Sequence, residues 1–321
     1  MKMMHRNQSY YSKLLLFGEY SILLGSSALS VPYSHFQAEL SFIREDKYTD
    51  LDQAEESNRM LRELFGYFQT GWDMAKATLN LDLLKKDLDD GLYLESGIPQ
   101  SYGLGSSGAV CASLYGKYAF NAIPPSGGIS PEEIADLRTV FSQMESFFHG
   151  KSSGIDPLGI YLRYPLHIAS NGKPSLVGIP RNWKNDSSGI FLIDTGTAGK
   201  TNPLVNLFLE KFSPSGTIST DGNYLVDLNN SCINSLLTGE ITDFWSSLAT
   251  LSDFQFNNLV PMIPNGMRPL WAESLENKLF HFKICGSGGG GFLIGFAPDY
   301  HKAFAFLKEK KIPTIPVYLA G

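Results

Sequence analysis

Three cysteines in 321 residues, at Cys111, Cys232 and Cys285, are too few and too scattered for a disulfide framework or a Cys-based metal cluster. Long apolar runs are missing as well. No segment approaches the ~20 apolar residues that a membrane helix needs. The run Leu14-Leu-Leu-Phe17 near the start is cut by Glu19, too early for the core of a signal peptide. Positive charge is not in excess: 26 Lys and Arg against 32 Asp and Glu give a net charge of −6. Such a chain lacks the concentrated positive field that nucleic-acid binding requires. Internal repeats and low-complexity tails are also absent. With 43% apolar residues the chain can bury a sizeable core. These features predict a globular cytoplasmic protein, with neither nucleic acid nor membrane as a partner.

The patterning is that of a mixed α+β chain. Residues 11–17 read as a strand, and Phe36, Ala38, Leu40 and Phe42 alternate with polar residues as in a half-buried strand. Residues 51–88 read as helix, broken near Gly71. A strand at 91–95 leads to the glycine-rich segment Pro99-Gln-Ser-Tyr-Gly-Leu-Gly-Ser-Ser-Gly108, followed by a helix with Val110, Leu114 and Tyr118 on one face. Ser130-Pro-Glu-Glu133 is a helix start with a capping box and Pro in the first turn. Further on, helical stretches are expected at 203–210, 230–250 and 268–277. Strands are expected at 190–194, 280–284, 292–296 and 314–319, and the boundary between two halves falls within 160–185.

Several segments carry chemistry. Gly103-Leu-Gly-Ser-Ser-Gly108 places glycines, hydroxyls and a helix N-terminus together, a combination suited to an anion. The competing reading is a tight turn capped by Ser106. A dinucleotide fold is disfavoured, because no acid follows at the required distance. Asp194-Thr-Gly-Thr-Ala-Gly-Lys-Thr201 nearly spells a P-loop, but Asp194 replaces the first glycine and sets a carboxylate where phosphates would pass. Lys200 is then an ordinary solvated loop residue.

Glu145 lies about three helical turns after Ile134, on the apolar stripe with Phe141 and Met144. A carboxylate there needs a metal or a cation; a surface Lys at the stripe edge is the alternative. His149 falls on the same face, one turn on. Asp156 closes a Gly-rich segment before Pro157 and reads either as functional or as a simple turn residue. Lys13 sits in an apolar strand, either snorkelling to an edge or functional, with Glu19 near enough in sequence to pair with it. Gly286-Ser-Gly-Gly-Gly-Gly291 has glycine at five of six positions, which suits a hairpin turn or backbone approaching a ligand or strand.

The motifs occur in a telling order: Lys-x₃-Phe-Gly-Glu, then Pro-x₃-Gly-Leu-Gly-Ser-Ser, then Glu-x₃-His-Gly-x₂-Ser-Gly-x-Asp, then Asp-Thr-Gly, then Gly-x-Gly₄. From Lys13 to Phe296 this resembles the GHMP kinase superfamily, and within it the mevalonate kinase branch. The resemblance implies a fold with an N-terminal half (1–165) like ribosomal protein S5 domain 2 and a ferredoxin-like C-terminal half (166–321), with the active site in the cleft between them. It implies an ATP- and Mg²⁺-dependent kinase acting on the hydroxyl of a small metabolite, mevalonate first, as in isoprenoid biosynthesis. Other acceptors of the class are phosphomevalonate, homoserine and sugars. A catalytically silent homologue that binds nucleotide or sugar is the alternative from another class, and a homodimer is compatible with either.

Carried over by position, Gly103, Leu104, Gly105, Ser106, Ser107 and Gly108 would wrap the ATP phosphates. Ser107 and Glu145 would hold Mg²⁺, Asp156 would take the hydroxyl proton, and Lys13 would stand near the transferring phosphoryl group. Glu19, Tyr20 and His149 would contact the acceptor. The chain departs from the family pattern twice: Tyr20 stands where mevalonate kinases carry His, and Ser152 where the family usually carries Pro.

Overall fold

The computed structural model describes residues 8–43, 50–125, 128–180, 187–199 and 201–319. In chain order the elements are β1 (Tyr10–Phe17), β2 (Ala28–Phe42), α1 (Leu51–Thr70), α2 (Ala75–Thr78), α3 (Leu81–Asp89), β3 (Leu92–Ser96), α4 (Ser106–Tyr118), α5 (Pro131–His149), α6 (Ile155–Leu162), β4 (Leu166–Ile168), β5 (Pro174–Leu176), β6 (Gly189–Asp194), α7 (Thr201–Phe212), α8 (Thr220–Thr238), α9 (Ile241–Asn258), α10 (Arg268–Asn277), β7 (His281–Ile284), β8 (Phe292–Ala297), α11 (Tyr300–Glu309) and β9 (Ile315–Leu319). Two compact units interleave along the sequence. The described residues within 1–13, 32–99 and 105–164 form one, and those within 14–31, 100–104 and 165–321 form the other. Strands β1 and β2 contribute residues to both.

One sheet runs β1-β2-β4-β5, with β3 paired to β2. In the first unit β3 lies antiparallel to the distal part of β2, from Ala38 opposite Ser96 to Phe42 opposite Leu92. Helix α4 is almost wholly buried, Gly108 through Tyr115 included. It carries no polar face, as expected of a central helix. It packs against α5 and α6. Helix α5 begins as its sequence predicts: Ser130 Oγ accepts from the Glu133 N–H, and the Glu133 carboxylate accepts from the Ser130 N–H.

In the second unit the other sheet runs β7-β8-β6-β9, every neighbour antiparallel. Numbered by sequence, its strands lie in the spatial order 2-3-1-4, connected β-α-β-β-α-β. This is the ferredoxin-like arrangement. Its core is aromatic: Phe280 stacks edge-on to Phe282 at 4.9 Å, and Trp271 lies 5.7 Å from Phe282.

Two local expectations need correcting, and two short strands had no expectation. The helical stretch at 230–250 is two helices, because Gly239 adopts a left-handed conformation that ends α8. The segment before Pro157 is not a simple turn; Asp156 lies in the first turn of α6. Strands β4 and β5, three residues each, carry too short a pattern to be read from alternation.

Candidate active site

In the first unit, five of the expected site residues converge. Lys13 is 6% exposed, so it does not snorkel to water; its Nζ lies 3.0 Å from Asp156 Oδ2. Asp156 is presented by the N-terminal turn of α6, where unpaired N–H groups favour a carboxylate. Ser107, in the first turn of α4, donates from Oγ to Glu145 Oε1 at 2.9 Å. The same Oγ lies 3.2 Å from His149 Nε2. Since the single hydroxyl proton of Ser107 goes to Glu145, this contact needs the His149 ring proton on Nε2.

Close helix packing produces this convergence. A β-carbon on Gly108 would lie 2.9 Å from the Pro157 nitrogen, so only glycine lets α4 approach the start of α6 this closely. The third glycine of the loop therefore serves helix packing, whereas Gly103 and Gly105 have φ of 74° and 81° and shape the turn itself. Leu104 between them is buried. Gly105 is the N-cap of α4 and no side chain caps it, so the capped-turn reading of Ser106 does not hold. The first-turn N–H groups of an uncapped helix start are suited to receiving an anion.

Glu145 is 4% exposed, and among the described residues it makes no ion pair with Lys or Arg. The surface-Lys alternative therefore fails. Burial, followed by the negative charge of Asp156, raises its pKa; hydrogen bonds from Ser152 and Ser107 and the charge of His149 oppose the rise. Ser152 Oγ donates to Glu145 Oε2 at 2.5 Å. A buried carboxylate destabilised by burial and by a second carboxylate, with a hydroxyl beside it, has the hard-oxygen chemistry that suits a divalent cation. The donor set fits Mg²⁺.

In the second unit, Glu19 and Lys283 form a salt bridge of 2.5 Å with both side chains 1% exposed. Lys283 also donates to the Ile284 carbonyl. Tyr20 has a φ of 63° and is buried, its ring 4.9 Å from that of Phe208. Its hydroxyl donates to the Ser287 carbonyl, and burial raises its pKa well above the ordinary phenol value. Residues 285–291 connect β7 to β8 as a hairpin loop and also meet other backbone closely. Gly289 N–H donates to the Met262 carbonyl at 2.6 Å, and Gly291 N–H to the Thr197 carbonyl at 2.5 Å. The hairpin reading is thus met, and the backbone that this loop approaches belongs to other connecting segments rather than to a strand. Asp194 Oδ1 accepts from the Gly196 N–H at 2.8 Å and from the Tyr102 hydroxyl at 3.3 Å. Lys200, of the near-miss P-loop, lies outside the described residues.

Sequence reasoning missed two participants. Lys283 is a lone Lys in an apolar strand, the same signal that marked Lys13. Ser152 was visible only as a departure from a family pattern, with no indication of its partner.

An uncapped helix start behind a glycine turn, a buried Glu–Ser pair and a Lys–Asp pair are features that phosphoryl-transfer chemistry can use. Residues 69–162 match the family model for the GHMP kinases N terminal domain. Over those residues the chain carries a GHMP kinases N-terminal domain, and this likeness supports a phosphotransferase with an alcohol group as acceptor; ATP is the co-substrate of this class. Among curated relatives it resembles the mevalonate kinase of Thermococcus sibiricus, with 26% identity over 314 residues covering 90% of this chain and 88% of the relative. Its fold matches the Methanococcus jannaschii mevalonate kinase at a TM-score of 0.65 and 20% identity, over 100% of both chains. It also matches the Streptococcus pneumoniae phosphomevalonate kinase in complex with phosphomevalonate and AMPPNP, at 0.60 and 15%, over 97% and 98%. Among the described residues, no helix is long and apolar enough to cross a membrane.

Proposed function

We propose that the chain is a mevalonate kinase, transferring the γ-phosphoryl group of ATP to the hydroxyl of mevalonate to give phosphomevalonate and ADP. The observation that carries this reading is the Lys13–Asp156 pair at 3.0 Å beside the buried Glu145–Ser107 hydroxyl bond. The choice of mevalonate as acceptor is supported by the named relatives, including the archaeal one that covers 90% of the chain.

In this reading the acceptor oxygen attacks the γ-phosphorus as the bond to the β-phosphate oxygen breaks. Asp156 Oδ receives the hydroxyl proton, a role that general-base catalysis gives to a carboxylate within hydrogen-bond reach. Lys13 holds Asp156 in place and supplies positive charge where the transferring phosphoryl group becomes more negative. The turn at 103–105 and the uncapped start of α4 receive the phosphates. Ser107 and Glu145 would hold Mg²⁺, which supplies charge neutralisation across the phosphates when bound.

Tyr20, in the family's His position, donates a hydrogen bond from its hydroxyl to the Ser287 carbonyl of the glycine hairpin. An ADP-release assay with mevalonate, phosphomevalonate, homoserine and a sugar panel tests the proposal. Turnover with mevalonate alone is the expected result. Turnover with any other acceptor in place of mevalonate overturns the acceptor, and turnover with none overturns the reading.

A further inference from the structure

Glu145 is held by two hydroxyls, and only one belongs to the glycine-rich loop. The other is Ser152, where the family pattern usually carries Pro, so this contact is a property of this chain's own sequence. Ser152 Oγ donates to Glu145 Oε2 at 2.5 Å and accepts from the Gly154 N–H at 3.0 Å. With its acceptor side occupied by an amide, the Ser152 hydroxyl has a fixed direction in which to donate.

The backbone around Ser152 is pinned in turn. Ser142 Oγ donates to the Ser152 carbonyl at 2.6 Å, and Arg138 Nε to the Ser153 carbonyl at 3.0 Å. Both donors come from α5, the helix that carries Glu145. Gly154 closes the bracket with a φ of 71°; a β-carbon there would lie 2.3 Å from the Arg138 carbonyl oxygen. Two residues later the same segment delivers Asp156.

We propose that Ser152 is a positioning residue for Glu145, fixing one carboxylate oxygen so that the other stays directed at Ser107, ready for a divalent cation. The inference rests on the reading of Glu145 and Ser107 as cation ligands. A group that orients a ligand through a hydrogen bond is typically worth ~10–100-fold in metal affinity.

The test is Mn²⁺ binding to the purified full chain in the presence of ADP, followed as loss of the free-ion electron paramagnetic resonance signal, alongside thermal unfolding in EDTA. Ser152→Ala is expected to weaken Mn²⁺ binding by about 10–100-fold. Ser152→Thr, which keeps the hydroxyl, is expected to restore it. Unchanged Mn²⁺ affinity in Ser152→Ala, whether or not the melting temperature falls, overturns the proposal and leaves Ser152 a loop-stabilising residue. Weakened binding that Ser152→Thr fails to restore, with both variants equally destabilised, overturns it too. A wild type that binds no Mn²⁺ overturns the cation-ligand reading itself. A wild type that binds Mn²⁺ but phosphorylates none of the acceptors sinks the proposed function and leaves the positioning role intact.

Discussion

Two groups of buried charge, one in each unit, are balanced in opposite ways. In the second unit, Glu19 and Lys283 lie 2.5 Å apart with both side chains 1% exposed, a charge and its counter-charge closed off together. In the first, Glu145 is equally buried but makes no ion pair with Lys or Arg among the described residues; it meets two hydroxyls and the charge of a second carboxylate, Asp156, which the charge of His149 opposes. The closed pair carries its own counter-charge and reads as architecture. The unbalanced carboxylate is costly until a cation arrives, and such uncompensated cost is characteristic of a site built for a ligand.

The sharpest way to break this contrast is to remove the proton acceptor of the first group. Asp156→Asn should lower kcat by ~10²–10⁴, the range for loss of a general base, while ATP affinity barely changes. Steady-state kinetics at varied ATP reads both, and near-wild-type turnover would make the first group as structural as the second.

The second group is tested by stability instead. Lys283→Met leaves Glu19 buried without its cation and should cost about 3–5 kcal/mol in a denaturant melt, as broken buried pairs do. Replacing both partners, Glu19→Gln with Lys283→Met, should recover most of that loss. If the single variant melts like the wild type, the pair is not the closed unit its burial implies.

Gly154→Ala probes the bracket that connects Glu145 to Asp156. A left-handed backbone with no room for a β-carbon should make it cost roughly 1–3 kcal/mol. Thermal unfolding checks this, and a neutral result would mean that the 150–154 segment relaxes freely.

The smallest effect lies in the pH dependence of the metal-free protein. Because the folded-state pKa of Glu145 is raised, the folded chain binds this proton more tightly than the unfolded chain does. The stability contributed by Glu145 is therefore present at low pH. It is lost as pH climbs from the ordinary carboxylate range through the raised value. Glu145→Gln should remove that decline, leaving the variant at least as stable as wild type at neutral pH in EDTA, though impaired in Mg²⁺ use. A variant less stable than wild type at neutral pH would show that the ionised carboxylate is compensated after all.

The sequence carried the elements whose signals are local. The capping box at Ser130, the break near Gly71 and the start of α4 after the glycine turn all depend on neighbouring residues, and each is found where its pattern puts it. The split at Gly239 had a signal too, a glycine after the last helical turn, but the apolar spacing continues across it and hides the break. Lys13 and Glu145 stood out because a charge on an apolar face conflicts with its surroundings. That conflict says a partner exists without saying which.

Sequence alone thus determined the chemistry available: a glycine turn before a helix, a carboxylate on an apolar stripe, a lysine in a buried strand, and their order along the chain. Only the tertiary structure decided the partners. Lys13 meets Asp156 across 142 intervening positions, Glu19 meets Lys283, and Ser152 takes the second oxygen of Glu145. The physical reason is that pairing follows from how closely helices and strands approach. That approach is set by small residues such as Gly108 and Gly154, whose missing side chains matter only once another element packs against them.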